Sequence, residues 1–595
     1  MSSQVARQLS RRLSPALLMV WCAFVGCDQP STVSIAEIQG SGHTSPLVGR
    51  EVTVRGVVVA EGSLPFGDPR GPDPPTAVCW IEEEDDGDPA TSRGLLVTGA
   101  SAPVGREVKV TGVVEEIVGH PDHLTVTSLT ADRLVEEGAG TTPEPVVLGE
   151  IGRVPPAKTI DDDGLARFEP ADDAIDFWES LEGTRVRVPE PLVVGATKGR
   201  SLYVVADGAR DAGPRTSAGG LRIGKDDSNP ERIQVADLLL GKRIPLASVG
   251  ETFSAAVEGV MHYRRGHFEL LPSSLPALPR KASSPPTSVL GPRPDRLRVA
   301  SLNLLNLSAT DDERRFSSAA EMIVRDLGAP ELLALQEVQD DSGPVDDGTV
   351  SATGTLSRLV EAVALAGGPE YRWLQQDPEN NRDGGQPGGN IRSVLLFDPS
   401  RVANGRPPTG FDSNPAILDT PAFRADGGEG WRNSRKPLVA RVEVLPKGEP
   451  LFVIALHLRS KGGDDSEWGA IQPPRRSTEG QRTEQAREVA GLVALIREVQ
   501  SDAHLVVLGD LNEYAFRPPL LELKKAGLIN LTERVPDEDR YTYVYRGNAM
   551  ALDHILVSPA LAEGAQVTIV HRNADIPASR QASDHDPVMA SLSLP

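Results

Sequence analysis

Cysteine is nearly missing from this chain: three residues in 595, at positions 22, 27 and 79, are too few for a disulfide framework. Aromatic residues make up only 4%, which limits any surface that would bind ligands by stacking rings. Past the first 30 residues there is no apolar run approaching the ~20 residues of a membrane-spanning helix, so the body does not read as a helical membrane protein. Positive charge is short as well: 61 Lys and Arg stand against 84 Asp and Glu, a net charge of −23. Such a chain repels polyanions at long range, so a nucleic-acid or phosphate ligand needs a local basic patch or bound cations. With 39% hydrophobic and 24% charged residues, the composition is that of folded globular protein. At ~100 to 200 residues per domain, the length predicts three or four units.

The first residues stand apart. Arg7, Arg11 and Arg12 precede LSPALLMVWCAFVGC, too short an apolar stretch to span a bilayer comfortably and flanked as an export signal is. Residues 1–27 are therefore expected to act as an export signal, placing the protein in the cell envelope or outside the cell. FVGC, Phe24 to Cys27, resembles the bacterial lipobox, which makes Cys27 the candidate lipidation site and a lipid tail the one expected link to a membrane. Plain secretion and an uncleaved anchor remain open readings. With Cys22 lost and Cys27 lipidated, Cys79 has no partner and no internal disulfide is possible.

Residues 28–277 read as repeated β structure. LVGREVTVRGVVVA at 47 and PVGREVKVTGVVEE at 103 share GREV followed by alternating valines, the period-2 pattern of half-buried strands. EGTRVRVPEPLVVG at 182 and the stretch from Val249 repeat the theme more loosely. Two small all-β barrels are expected, over 28–146 and 147–277, with EEEDDGDP at 82 and DDDG at 161 as solvated excursions. SIAEIQGSGHTSPLVG at 34 resembles the N-terminal domain of multidomain extracellular bacterial nucleases, which implies OB-like modules. Such modules could hold single strands, or could only space and adhere. Residues 278–296, rich in proline, serine and basic residues, form the expected linker.

From 297 to 595 short apolar runs of strand length alternate with helical patterns, so this unit is expected to be α/β. TEQAREVAGLVALIREVQ places Ala486, Val489, Val493, Ile496 and Val499 on one helical face. Polar residues gather where strands end, and a rigid sheet edge can hold several such groups converging on one point. In order these are Asn303 in SLNLLN, Glu337 in LQEV, His457 in LHLRSK, Asp510 and Asn512 in GDLN, Asp553 in LDHIL, and Asp584 and His585 in SDHDP. Each motif alone could be a turn or a capped loop, but six in this order resemble the endonuclease/exonuclease/phosphatase superfamily, over about 291–595. LRSKGGDDSEWGAIQPP at 458, with GGNIR at 388 and SRKPL at 434, resembles its extracellular nuclease branch.

The resemblance implies a four-layer sandwich of two mixed β-sheets flanked by helices, and a metal-dependent phosphodiester hydrolase, most simply a nonspecific deoxyribonuclease acting on DNA or other nucleic acid. A phosphatase or phospholipase-type activity on the same core is the alternative, and a noncatalytic envelope adhesin is the alternative of another class. No protein partner is inferred. Hydrolysis at a phosphodiester needs cations beside its anionic oxygens. Glu337 and Asp584, with the amide oxygen of Asn303, are hard oxygen donors that suit Mg2+, or Ca2+ or Mn2+, rather than zinc. Asp510 and Asn512, two apart on an extended segment, can point the same way, one to orient water and one to donate to the phosphate. His585 can exchange a proton near neutral pH, with Asp553 as its matched partner.

His457 matches the histidine of the deoxyribonuclease I branch, although the position of its usual glutamate partner falls on Ile391. Arg392, Arg435 and Lys461 are candidates for gripping phosphates, with ordinary ion pairing as their alternative. Glu331 stands where the family often has aspartate. His554, next to Asp553 on a strand, should face away, and Asp586 is expected only to cap the turn before Pro587.

Overall fold

The computed structural model describes residues 31–65, 75–210, 212–280, 290–404 and 429–593. The expected export signal with Cys27, and residues 281–289 of the linker, fall outside them.

The GREV repeats form strands as their alternation requires. In Glu51–Leu64, Val52 and Val54 turn inward while Glu51 and Arg55 face solvent. This strand is followed by Thr76–Glu82, Gly94–Thr98, Arg106–Val118 and Thr125–Ala139. Their neighbours run first, second, third, fifth, fourth, and the fourth returns to the first from Glu51↔Val113 to Val57↔Glu107, closing a barrel. The third and fifth strands pair in parallel. Cys79 is buried inside as a free thiol, pushed up to about 11 by burial. One expectation fails here. Glu82 opens the supposedly solvated acidic loop but is fully buried, accepting from the Arg185 amide, and burial pushes its carboxyl up to about 7.

The second unit repeats this order with a broken first strand. Arg185–Val188 and Leu192–Lys198 flank Pro189-Glu190-Pro191, where proline has no N–H to extend a ladder. Leu192–Lys198 pairs with Ser201–Val205, which pairs with Ile233–Ala236. That strand runs parallel to Phe268–Leu271, whose antiparallel neighbour Val257–Tyr263 returns to Arg185–Val188. A single apolar core links the two barrels: Trp80, Leu96 and Leu124 of the first pack with Trp178, Val204 and Tyr263 of the second.

The C-terminal unit holds two six-stranded sheets. One contains, in spatial order, Arg372–Gln375, Arg392–Phe397, Leu332–Val338, Arg296–Leu307, Val588–Ser593 and Gln566–Ile569. The other contains Val402–Asn404, Leu438–Val444, Glu449–His457, Leu505–Asp510, Asp553–Val557 and Ile529–Asn530. Val299, Ala334 and Leu395 of the first sheet meet Ala440, Val453 and Val506 of the second in the central core. Helices Glu313–Glu321 and Thr353–Leu365 cover one outer face, and Glu479–Val499 with Pro518–Lys525 cover the other. The layers are therefore helix, sheet, sheet, helix, with parallel strand pairs at the centre of each sheet.

Helix Glu479–Val499 buries Ala486, Val489, Val493 and Ile496 as its periodicity requires, but Val499 is 47% exposed because the helix ends there, past the edge of the core. Among the described residues, no helix is long and apolar enough to cross a membrane.

The second barrel and the C-terminal unit interlock. Leu221–Arg222 adds as a parallel strand to Asn548–Met550. Trp468, from the loop after His457, sits 1% exposed inside the barrels' core, and its carbonyl accepts from Tyr263 Oη at 2.6 Å. Gly195 and Gly547 meet backbone to backbone: a Cβ on Gly195 would lie 2.8 Å from the Gly547 Cα. Neither position has room for a side chain.

Candidate active site

Register assembles the site. On the second sheet His457 lies opposite Asp510, and Asp510 opposite Asp553, so three strand ends present one row of titratable groups. The first sheet supplies Asn303 and Glu337 from its own parallel pair, at points where the ladder slips register. Glu337 takes φ 56° at that slip, and Asn512 takes φ 50° just past its strand. Left-handed backbone of this kind costs of order 1–3 kcal/mol for a residue with a side chain, and such strain gathers at functional sites. Ser583 ties the last loop down: its hydroxyl donates to the Asn303 carbonyl at 2.6 Å and accepts from the His585 amide at 3.1 Å.

Six predicted residues converge. Asp553 Oδ2 lies 2.7 Å from His585 Nδ1, and His585 Nε2 lies 3.9 Å from Asp510 Oδ2. The same Asp510 oxygen is 3.4 Å from His457 Nε2 and 3.3 Å from Asn303 Nδ2. Glu337 Oε1 is 3.1 Å from Asn303 Nδ2 and 3.9 Å from His457 Nε2. Asp510, Asp553 and His585 place one ligand atom each within 4.8 Å of one another. Asn512 stands alongside, its amide N–H donating to Asp510 Oδ1 at 2.9 Å and its Nδ2 to the Leu458 carbonyl at 3.1 Å.

The two histidines are held in opposite states. Burial works against a charge on His585, but the Asp553 and Asp510 carboxylates outweigh it and hold the imidazole well above its usual range. At His457 the balance runs the other way, although Asp510 Oδ2 lies 3.4 Å from its Nε2. Burial first, then Arg435 and His585, push it well below, so it stays neutral, and its Nδ1 has no hydrogen-bond partner. Asp510 is raised, chiefly by burial and then by the Asp553 and Glu337 charges, against the opposing pull of His585.

Several assignments change. Asn303 accepts the Leu305 N–H on its amide oxygen at 2.9 Å and turns its nitrogen to Glu337 and Asp510, standing as a hydrogen-bond donor between the two carboxylates. Arg392 is 3% exposed and paired with Asp377, and Lys461 is bound to Glu513, which also holds Arg482 at 2.9 Å. In an acidic chain, nearby carboxylates claimed these two cations. Only Arg435 of the three is at the site, donating to the Leu458 carbonyl with Asp510 and Glu337 as its nearest balancing charges; burial lowers it to about 10.

Asp586 caps a different turn from the one expected. Its Oδ1 accepts from the amides of Arg572, Asn573 and Ala574, and its Oδ2 lies 3.0 Å from His571 Nδ1. Glu331 bonds Arg298 at 2.9 Å, a pairing that a longer carboxylate still reaches. His554 faces away, toward Asn530 and the Glu513 carbonyl.

Asp584 lies at the mouth, 17% exposed, with Lys198 Nζ of the second barrel 3.6 Å from its Oδ2. Tyr543, unforeseen, bridges its backbone to that of His585 and sets its ring 4.8 Å from the imidazole. Both contacts join segments far apart in the chain, and no local pattern announces them.

Comparison with known proteins agrees with this architecture. Residues 300–585 match the model of the Endonuclease/Exonuclease/phosphatase family, and residues 147–280 match a domain of unknown function. No curated protein matches the chain significantly. Similar solved structures include the human Nocturnin catalytic domain with bound sulfate anion, at 17% identity over 52% of this chain and 99% of that one, with TM-score 0.35. A truncated TDP2 from Caenorhabditis elegans is 18% identical over 50% of this chain and 98% of that one, with TM-score 0.32. A mannosyl-6-phosphatase from Bacteroides thetaiotaomicron is 17% identical over 50% of this chain and 100% of that one, with TM-score 0.32. Residues 300–585 thus form an Endonuclease/Exonuclease/phosphatase family domain.

Proposed function

We propose that this protein is a divalent-metal-dependent phosphodiesterase that cleaves nucleic acid outside the cytoplasm. The observation that carries the reading is the 2.7 Å Asp553–His585 pair converging with His457, Asp510 and Glu337 at one sheet edge. With Nδ1 committed to Asp553, His585 Nε2 is the nitrogen free to exchange a proton with the reacting water or leaving oxygen. Asp510 accepts from its surroundings with Oδ2 and is placed to orient water. Neutral His457 presents Nε2 toward the same oxygen, as a donor that can turn to a phosphoryl oxygen, and Asn303 Nδ2 and Arg435 add donors without further negative charge.

The donor set fits a hard cation: Glu337 and Asp584 offer carboxylate oxygens, and no cysteine stands nearby. When bound, a Mg2+, Ca2+ or Mn2+ ion supplies the positive charge that polarises a phosphoryl oxygen.

The barrels are read as OB-type modules, a reading supported by their shared strand order and parallel third and fifth strands. Export with lipidation at Cys27 is supported by the N-terminal run ending in FVGC; labelled palmitate incorporation, lost in Cys27→Ser, tests it.

The activity is tested by incubating the full chain with plasmid DNA, RNA, and vesicles of sphingomyelin or phosphoinositide, with and without chelator. Cleavage of nucleic acid that stops in EDTA and returns with Mg2+ is expected. Turnover of phospholipid alone would move the assignment to the phospholipase-type branch.

A further inference from the structure

The second barrel and the catalytic domain enclose a cleft of about 600 Å3 that opens beside Asp584, a size within the roughly 300–1,000 Å3 of ligand sites. Its barrel wall is the hairpin turn Lys198-Gly199-Arg200 with Arg264, Arg265 and His267, and its catalytic wall is Val544–Gly547 and the loop around Ala574–Gln581. The walls are held in place by the backbone contact of Gly195 with Gly547, by Asn229 Nδ2 donating to Asn548 Oδ1 at 2.6 Å, and by the Val249 amide donating to the Asp575 carbonyl at 2.9 Å. The cleft is thus part of the folded architecture rather than a gap between loosely joined domains.

Its chemistry departs from the rest of this acidic chain. Arg200 is neutralised by Asp237 at 2.6 Å and Arg264 by Glu269 at 2.6 Å. Arg265 and Arg546 make no ion pair among the described residues. Lys198 is 62% exposed, reaching Asp584 at 3.6 Å and the Tyr543 ring at 5.6 Å. Once Asp237 and Glu269 are matched to Arg200 and Arg264, three cations line the cleft against one remaining carboxylate, Asp584. His267 lines the same space, 4% exposed and stacked on Trp468 at 5.8 Å, with both ring nitrogens buried and unpartnered. Tyr545 completes the set: it is 49% exposed, stacked beside Tyr543 at 6.4 Å, with the Arg546 guanidinium 5.4 Å from its ring. A half-exposed aromatic ring next to spaced cations is how sequence-tolerant sites hold unpaired nucleic acid.

We propose that this cleft binds the single-stranded segment of nucleic acid that leads to the reaction centre, with Lys198, Arg265 and Arg546 taking its phosphates and Tyr545 stacking on a base. The second barrel thereby supplies one wall of the substrate groove and brings a cation to the rim of an otherwise acidic site. A stacked base must be unpaired, so the groove selects single strands or frayed ends over intact duplex. The substrate class rests on the phosphodiesterase reading above, but binding in the cleft can be measured without turnover.

Binding of a short labelled oligothymidylate to the full-length chain in EDTA is followed by fluorescence anisotropy across a salt series. Tyr545→Ala is expected to bind roughly 5- to 140-fold more weakly, the range of one stacked base at 1.4 kcal/mol per decade, while Tyr545→Phe retains affinity. Lys198→Gln and Arg265→Gln, neither of which removes a buried ion pair, are each expected to flatten the log–log salt slope by about 0.7, and Lys198→Arg to restore it. Wild-type affinity and slope in Tyr545→Ala, Lys198→Gln and Arg265→Gln would overturn the proposal. So would tight binding of phosphoinositide vesicles by a wild-type protein that ignores the oligonucleotide. A protein that binds the oligonucleotide through these residues yet cleaves no nucleic acid with metal present would sink the phosphodiesterase reading and leave the cleft assignment standing.

Discussion

Replacing Asp553 with asparagine removes the charge from the 2.7 Å bond to His585 Nδ1 without emptying the space. A hydrogen bond to a charged group contributes about 1.5–3 kcal/mol, and at 1.36 kcal/mol per decade this is a rate loss of about 10- to 160-fold if the whole bond serves the transition state. Asparagine can also present an N–H to Nδ1, reversing the ring's tautomer and leaving a proton on Nε2 where the base needs a lone pair, so the upper part of that range is expected. His585→Ala removes the proton carrier itself, for which ~10²- to 10⁴-fold is typical. The decisive variant is the double one. Asp553 makes its hydrogen bond at the site to His585, so Asp553→Asn in the His585→Ala background should cost little more than His585→Ala alone, because residues acting as a unit are grossly non-additive. The assay is kcat/KM on bis(p-nitrophenyl) phosphate in excess Mg2+, with melting curves to show that each variant folds. Losses that multiply in the double variant would refute the idea that Asp553 acts by orienting His585.

Glu337→Gln keeps the side chain's shape at a strained strand end and should abolish turnover while leaving the melting temperature near wild type; full activity in excess EDTA would remove the case for metal altogether. Trp468→Ala empties a fully buried site in the barrel core and should cost about 3–5 kcal/mol, splitting a single calorimetric transition into separate barrel and catalytic-domain transitions; one unshifted transition would show that Trp468 does not lock the domains. Asp586→Asn should cut kcat far less than His585→Ala, yet lower the melting temperature, because the carboxylate is paired with His571 and accepts three backbone amides; an activity loss equal to that of His585→Ala in a stable protein would contradict this. Between the barrels, burial pushes Glu179 up to about 8, and Asp176 with Glu179 holds His43 raised against burial. Both groups are more readily protonated folded than unfolded, so their stability contribution is present below the ordinary carboxylate range for Glu179 and fades as pH climbs toward 8. The melting temperature should fall over that window and fall less in Glu179→Gln; a flat profile in the wild type would count against it.

Strands and the polar residues at their ends could be read from residue pattern, and the resemblance of six short motifs to a known superfamily gave those residues their expected roles. Val52, Val54, Val108 and Val110 alternate because a pleated strand with one buried face demands period two, and that pattern is local. Asn303, Glu337, His457, Asp510, Asp553 and His585 were legible for a related reason: nearly all stand where an apolar run meets polar residues, and strand ends share an edge once a sheet forms. Which charges would remain free was not local. Arg392 and Lys461 looked like Arg435 in sequence, and only packing decided that Asp377 and Glu513 would claim two of them. The direction of the Asn303 amide, the turn capped by Asp586 and the burial of Glu82 were likewise set by neighbours outside any local motif. Lys198 meets Asp584 from a different domain, a contact created when two barrels and a sandwich bury their remaining apolar surface against one another. Local residue patterns specify elements and edges, because backbone geometry reads only near neighbours; the balance of charge within a cleft is decided where distant elements dock, because pairing and desolvation depend on everything that surrounds the group.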